Sequence, residues 1–91
     1  MKLNKLYQII EDRKNNPKEK SYVSSLFKRG NDRIIQKIGE EATEVVIAAK
    51  NKNKKEIISE IADLLFHTLV LLSILDIKPS EVELELKKRR K

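Results

Sequence analysis

Gly39 to Lys50 reads G-E-E-A-T-E-V-V-I-A-A-K, and after the break Asn51-Lys52-Asn53 a second apolar stretch contains E-I-I-S-E-I-A-D-L-L-F-H, Glu56 to His67. Beyond Gly39 neither half contains glycine or proline, and both space their apolar residues for a helix. A polar break this short forces the two helices into an antiparallel hairpin. Within that hairpin lie five acids: Glu40, Glu41, Glu44, Glu60 and Asp63.

At ~100° per residue, Glu40, Glu41 and Glu44 fall within about a quarter-turn of one helix surface. Glu60 and Asp63, three apart, share a face of the other. The hairpin turns these two faces toward each other. Ile57, Leu64 and Leu71 point in nearly the same direction as Glu60, so that face is directed inward. Acids on helices are usually solvated and paired with a base one turn away. Here Glu44 has Glu40, Glu41, Ile47 and Ala48 as its turn neighbours, and Glu60 has Glu56, Ile57, Asp63 and Leu64. Asp63 has Ser59, Glu60, Phe66 and His67; one base, Lys37, stands a turn before Glu40 and Glu41.

Like charges packed together without compensation cost stability. A hard divalent cation reverses the sign of that cost. Mg²⁺ takes carboxylate oxygens, keeps several waters and is completed by substrate phosphates. A carboxylate set without thiolate or multiple imidazoles favours Mg²⁺ or Mn²⁺ over zinc. Such an ion neutralises a polyphosphate, polarises the attacked phosphorus and helps deprotonate the attacking water. With no cysteine and one histidine, the chain excludes disulfides, thiolate centres and a multi-histidine zinc site.

Around the hairpin, Leu3, Leu6, Tyr7 and Ile10 predict a first helix over 2–14, stopped by Asn15-Asn16-Pro17. Ser21 is placed to cap a short helix holding Tyr22, Val23, Leu26 and Phe27, which Gly30 ends. The third helix then starts at Asn31 or Asp32. Asn53 with Glu56, and Ser80 with Glu83, have capping-box spacing, opening the fourth helix near Lys54 and a last helix running to the terminus. In that last helix Glu83–Lys87 and Glu85–Arg89 have ion-pair spacing. The expected fold is one all-α domain over 1–91, a bundle of four to five helices around the hairpin.

Composition agrees: 40% hydrophobic, 4% aromatic, two glycines and two prolines leave strands few formers. Lys87 to Lys91 supply five of the formal charge of +6, so no basic face for nucleic acid is expected. The start M-K-L-N-K-L-Y-Q lacks the apolar core of a signal peptide, and the apolar run Leu64–Leu75 is short for a bilayer. No membrane association and a cytoplasmic location are expected. The fourth helix is apolar nearly all round, from Ile57 to Leu75. One small chain cannot enclose it, so a homodimer or higher homo-oligomer is expected.

The pattern E-E-A-T-E (Glu40–Glu44), fifteen residues, then E-I-A-D (Glu60–Asp63) resembles the E-E-x-x-E … E-x-x-D signature of the all-α nucleotide pyrophosphatases, the MazG-like superfamily. Within it, S-Y-V-S-S-L-F-K-R-G (Ser21–Gly30), K-I-G-E-E-A-T-E-V-V-I-A-A-K-N (Lys37–Asn51) and E-I-A-D-L-L-F-H-T-L-V-L-L (Glu60–Leu72) are similar to the phosphoribosyl-ATP pyrophosphatases of histidine biosynthesis. The resemblance covers nearly the whole chain. It implies Mg²⁺-dependent hydrolysis of phosphoribosyl-ATP to phosphoribosyl-AMP and pyrophosphate, the second step of that pathway. It implies metal ligation by Glu41, Glu44, Glu60 and Asp63, with Glu40 a further ligand or the group that orients the attacking water. Glu40, Glu41 and Glu44 are thus the catalytic candidates. In many relatives a cyclohydrolase is fused to this domain, and the chain has the length of the stand-alone enzyme. A house-cleaning nucleoside triphosphate pyrophosphatase is the alternative. Lys37, Lys28, Arg29, Arg33, Lys50 and Asn51 are candidates to contact substrate. His67, nearly in line with Asp63, is expected to give a hydrogen bond in the core or behind the ligands.

Overall fold

A computed structural model describes residues 2–90. Among these residues the secondary structure is five helices and no strand: α1 (Leu3–Asn15), α2 (Tyr22–Arg29), α3 (Asn31–Lys50), α4 (Lys54–Ile74) and α5 (Pro79–Lys88).

Helix ends follow local chemistry. Ser21 Oγ accepts from the Ser24 amide at 3.2 Å, which caps α2. Gly30 joins α2 to α3 at φ 96° and ψ 177°, a backbone state that glycine tolerates and other residues resist. Asn53 Oδ1 accepts from the Glu56 amide at 3.1 Å, so the expected cap opens α4. The last helix differs from expectation. It begins at Pro79, and Lys78 N–H donates to Glu81 Oε2 at 2.8 Å, so the cap lies two residues before Ser80–Glu83. Proline's fixed φ and missing N–H suit the first helical position, and this outweighs the serine. The helix ends at Lys88; Lys91 lies outside the described residues. Of its two expected ion pairs, Glu85–Arg89 forms at 3.3 Å, and Glu83–Lys87 is not among the ion pairs of the described residues.

The α3–α4 hairpin is the most extensive contact, and α1 and α2 pack across it. Tyr7, Ile10, Leu26, Ile34, Leu69 and Val70 form the buried core, with Val23, Phe27, Phe66 and Leu72 packed around it. A polar network fastens α1 to the end of α4. Ser73 Oγ donates to Glu11, Lys14 bridges Glu11 at 2.9 Å and the Ser73 carbonyl at 2.7 Å, and Tyr7 Oη donates to the Ile77 carbonyl at 2.9 Å. Helix α5 touches α1 alone to any extent and is exposed beyond Pro79.

Taken whole, α4 is long and apolar enough to cross a membrane by length and composition, which counting Leu64–Leu75 alone understates. It nevertheless carries Glu60 and Asp63, buries His67 and Ser73, and packs on α1 and α3, as a bundle helix does. Part of it stays uncovered: Ile58, Ile61 and Leu65 are 60%, 41% and 46% exposed at helical spacing.

Candidate metal and phosphate site

Two helices facing across a tight turn bring three carboxylates together. One oxygen each from Glu41, Glu60 and Asp63 lie within 4.8 Å of one another. Glu41 enters from α3 and is buried, Glu60 is half-buried, and Asp63 is exposed, so the group opens from the hairpin seam to solvent. The Glu60 carboxyl is raised above its ordinary value, first by lost hydration and then by the charges of Asp63, Glu44, Glu41 and Glu56. That is the repulsion expected of carboxylates crowded without a cation. Three oxygen donors with no thiolate suit a hard divalent ion.

The other predicted residues divide clearly. Glu44 is exposed and outside the triad, close enough to act on Glu60 through its charge. Glu40 is outside the triad and paired with Arg33, whose guanidinium meets its carboxylate at 3.1 Å and Gln36 at 3.1 Å. The pair is seven residues and two turns apart, beyond the one-turn spacing at which a base for Glu40 is expected. Lys37 lies 3.3 Å from Glu41. Glu44, Glu60 and Asp63 have no basic partner among the described residues, as their neighbours in sequence imply. Lys50 and Asn51 end α3 at the turn, Asn51 about 15 Å of helix beyond Glu41. Lys28 instead lines a concavity of about 650 Å³ between α1 and α2, with Lys14, Lys18 and Phe27. None of the five acids lines it.

His67 closes the site from behind. Its ring is 5% exposed, and Nδ1 lies 2.8 Å from the Asp63 carbonyl, one turn back, and 4.0 Å from Glu41 Oε1. A carbonyl only accepts, so Nδ1 carries hydrogen toward it and Nε2 presents its lone pair in that tautomer. The Tyr22 hydroxyl donates there at 2.9 Å. The hydrogen-bonding role expected of His67 is observed; its partner from α2 was not legible in the sequence.

The sequence that builds this site matches a named family. Residues 3–90 match the family model described as phosphoribosyl-ATP pyrophosphohydrolase. The chain belongs to that family. A phosphoribosyl-ATP pyrophosphatase of Clostridium acetobutylicum is 56% identical over 87 residues, spanning 96% of this chain and 79% of the relative. One from Methanocella arvoryzae is 52% identical over 91 residues, covering 98% and 96% of the two chains. One from Geotalea daltonii is 55% identical over 87 residues, covering 96% and 82%. The membership and the all-α bundle agree with the resemblance read from the motifs.

Proposed function

We infer that the chain hydrolyses phosphoribosyl-ATP to phosphoribosyl-AMP and pyrophosphate, the reaction for which its family is named and a step of histidine biosynthesis. The observation that carries this reading is the Glu41–Glu60–Asp63 triad in a chain matched to the family along residues 3–90. Glu41, Glu60 and Asp63 would hold Mg²⁺, with Glu44 supplying a further oxygen from the next turn of α3; Mn²⁺ fits the same donors. When bound, the ion supplies charge neutralisation at the phosphates and a more acidic water.

The chain's own residues do the rest. Glu40, exposed on α3 one residue before Glu41, is assigned to orient the attacking water. Arg33 holds its carboxylate in place by direct contact. We assign Lys37, beside Glu41, and Arg33, beside Glu40, as the two cations that contact the substrate's phosphates. His67 fixes the α4 turn that carries Asp63 through the Asp63 carbonyl. We assign Lys28, Lys50 and Asn51 to the outer parts of the substrate, and the enzyme to the cytoplasm.

We further propose that the working form is a homodimer built on α3 and α4. Ile58, Ile61 and Leu65 form an exposed stripe on α4, and Ile35 and Val46 form one on α3. The radius of gyration is 14.2 Å; a compact domain of this length has about 12 Å. A two-fold pairing of these stripes would supply the missing half of the core.

The test is pyrophosphate release from phosphoribosyl-ATP and from a panel of canonical triphosphates, with Mg²⁺ and with EDTA. Release from phosphoribosyl-ATP in Mg²⁺ alone is expected. Metal-independent release, or none, overturns the assignment. Faster turnover of a deoxynucleoside triphosphate selects the house-cleaning alternative.

A further inference from the structure

We propose that Tyr22 is the base-stacking surface of the substrate site, taking the purine of a nucleoside phosphate whose phosphates reach Glu41, Glu60 and Asp63. This rests on reading those acids as a metal–phosphate site.

The chain has four aromatic rings besides the histidine and no tryptophan. Tyr7 is buried, and Phe27 and Phe66 are packed into the core. Tyr22 alone is open, at 51% exposure. An exposed tyrosine ordinarily points its hydroxyl into water and samples several rotamers. This one does not. Its hydroxyl is held by His67 Nε2 at 2.9 Å, and His67 is itself buried and fixed by the Asp63 carbonyl. Phe66 lies alongside the Tyr22 ring at 6.2 Å and 26°, and the His67 ring meets both aromatics edge-on, at 5.8 Å and 5.2 Å. The ring is therefore braced by α4 while keeping much of its surface in solvent.

Its position gives the ligand. Tyr22 Oη and Glu41 Oε1 are separated by one imidazole and two contacts, of 2.9 Å and 4.0 Å. In a nucleotide the base stands one ribose away from the first phosphate, a span of the same order. A rigid aromatic surface offers every base a π-face at little entropic cost. Phe66 and His67 act through Tyr22 and are positioning residues.

The absence of tryptophan makes the test direct. In Tyr22→Trp the indole is the one tryptophan present, and its emission is titrated with AMP and with pyrophosphate in Mg²⁺. AMP is expected to quench it saturably, and pyrophosphate to leave it unchanged. In steady state, Tyr22→Ala raises KM for phosphoribosyl-ATP by roughly tenfold, the loss of one base–aromatic stack, with kcat nearly unchanged. Tyr22→Phe, which keeps the ring and loses the bond to His67, gives a smaller rise, and the thermal shift with Mg²⁺ is retained in both. A wild-type KM in Tyr22→Ala, or a loss confined to kcat, overturns the stacking role while Mg²⁺-dependent release leaves the acid site standing. Indole emission already blue-shifted in the dimer and indifferent to AMP means that a second copy covers the ring, which also overturns it. Absence of metal-dependent release in the unsubstituted protein removes both readings.

Discussion

Asp63→Asn should make the metal-free protein more stable while removing its activity. The substitution is nearly isosteric, and no side-chain hydrogen bond or ion pair of Asp63 is lost among the described residues. What changes is charge. With the Asp63 and Glu41 oxygens within 4.8 Å, Coulomb repulsion is about 1 kcal/mol at the dielectric of water and about 3.5 kcal/mol at an effective dielectric of 20. Asp63 is exposed, so the lower figure applies, and Glu60 adds repulsion of the same sign. A gain of about 1 kcal/mol corresponds to a melting temperature higher by roughly 4–8 °C in a domain of this size. Saturating Mg²⁺ acts the other way. At one hundred times its Kd it should stabilise the unsubstituted protein by about 2.7 kcal/mol and the variant by little. The order of stability therefore inverts between EDTA and Mg²⁺. Circular dichroism melts at 222 nm, at one fixed protein concentration, measure it. A variant that melts lower in EDTA, or that gains as much from Mg²⁺, refutes the account of the triad as repelling ligands awaiting a cation.

Glu11 supplies the pH dependence. Burial raises its carboxyl, but hydrogen bonds from Ser73 and Lys14 outweigh that and hold it below its ordinary 4.5. A depressed folded value gives stability that is complete above about pH 4.5 and lost as pH falls through the folded value. Glu11→Gln should flatten that acid limb in pH-dependent melts, and an unchanged limb counts against the network. Ile61→Lys with Leu65→Lys should shift the mass by light scattering from dimer to monomer, and a persistent dimer rules out this stripe. Ile10→Ala removes a fully buried side chain and should cost about 2–5 kcal/mol in urea unfolding; a smaller loss means that the α1 seam repacks.

The hairpin was legible because its signals are local: helical periodicity, a three-residue break and the Asn53 cap act within a few residues of each other. The triad was legible for a related reason. Once the turn is that short, Glu41 on α3 and Glu60 and Asp63 on α4 have little choice but to meet. Contacts set by packing angle were not legible. Whether Tyr22 on the short α2 reaches His67, or Glu11 reaches Ser73, depends on how α1 and α2 lie across the hairpin, and no spacing rule fixes that. Arg33–Glu40 is an intermediate case. Its spacing of seven is a helical repeat, so the sequence holds the signal, but the one-turn rule searches only three and four residues away.

The acids and the uncovered stripes sit on the same two helices but on different faces, and this separates the proposed dimer from the proposed metal. At ~100° per residue, Ile58, Ile61 and Leu65 stand roughly 100–160° around α4 from Glu60 and Asp63, and Ile35 and Val46 stand about 120–140° around α3 from the buried Glu41. A second copy seated on the stripes therefore leaves the surroundings of the carboxylates, and their mutual repulsion without a cation, nearly as they are in one chain. By linkage, metal and dimer should then have little effect on each other. Sedimentation across a concentration series in Mg²⁺ and in EDTA measures that coupling directly. Equal dimer dissociation constants in the two are expected. A dimer that tightens markedly in Mg²⁺ would mean that closure reaches the acids, and would refute the separation.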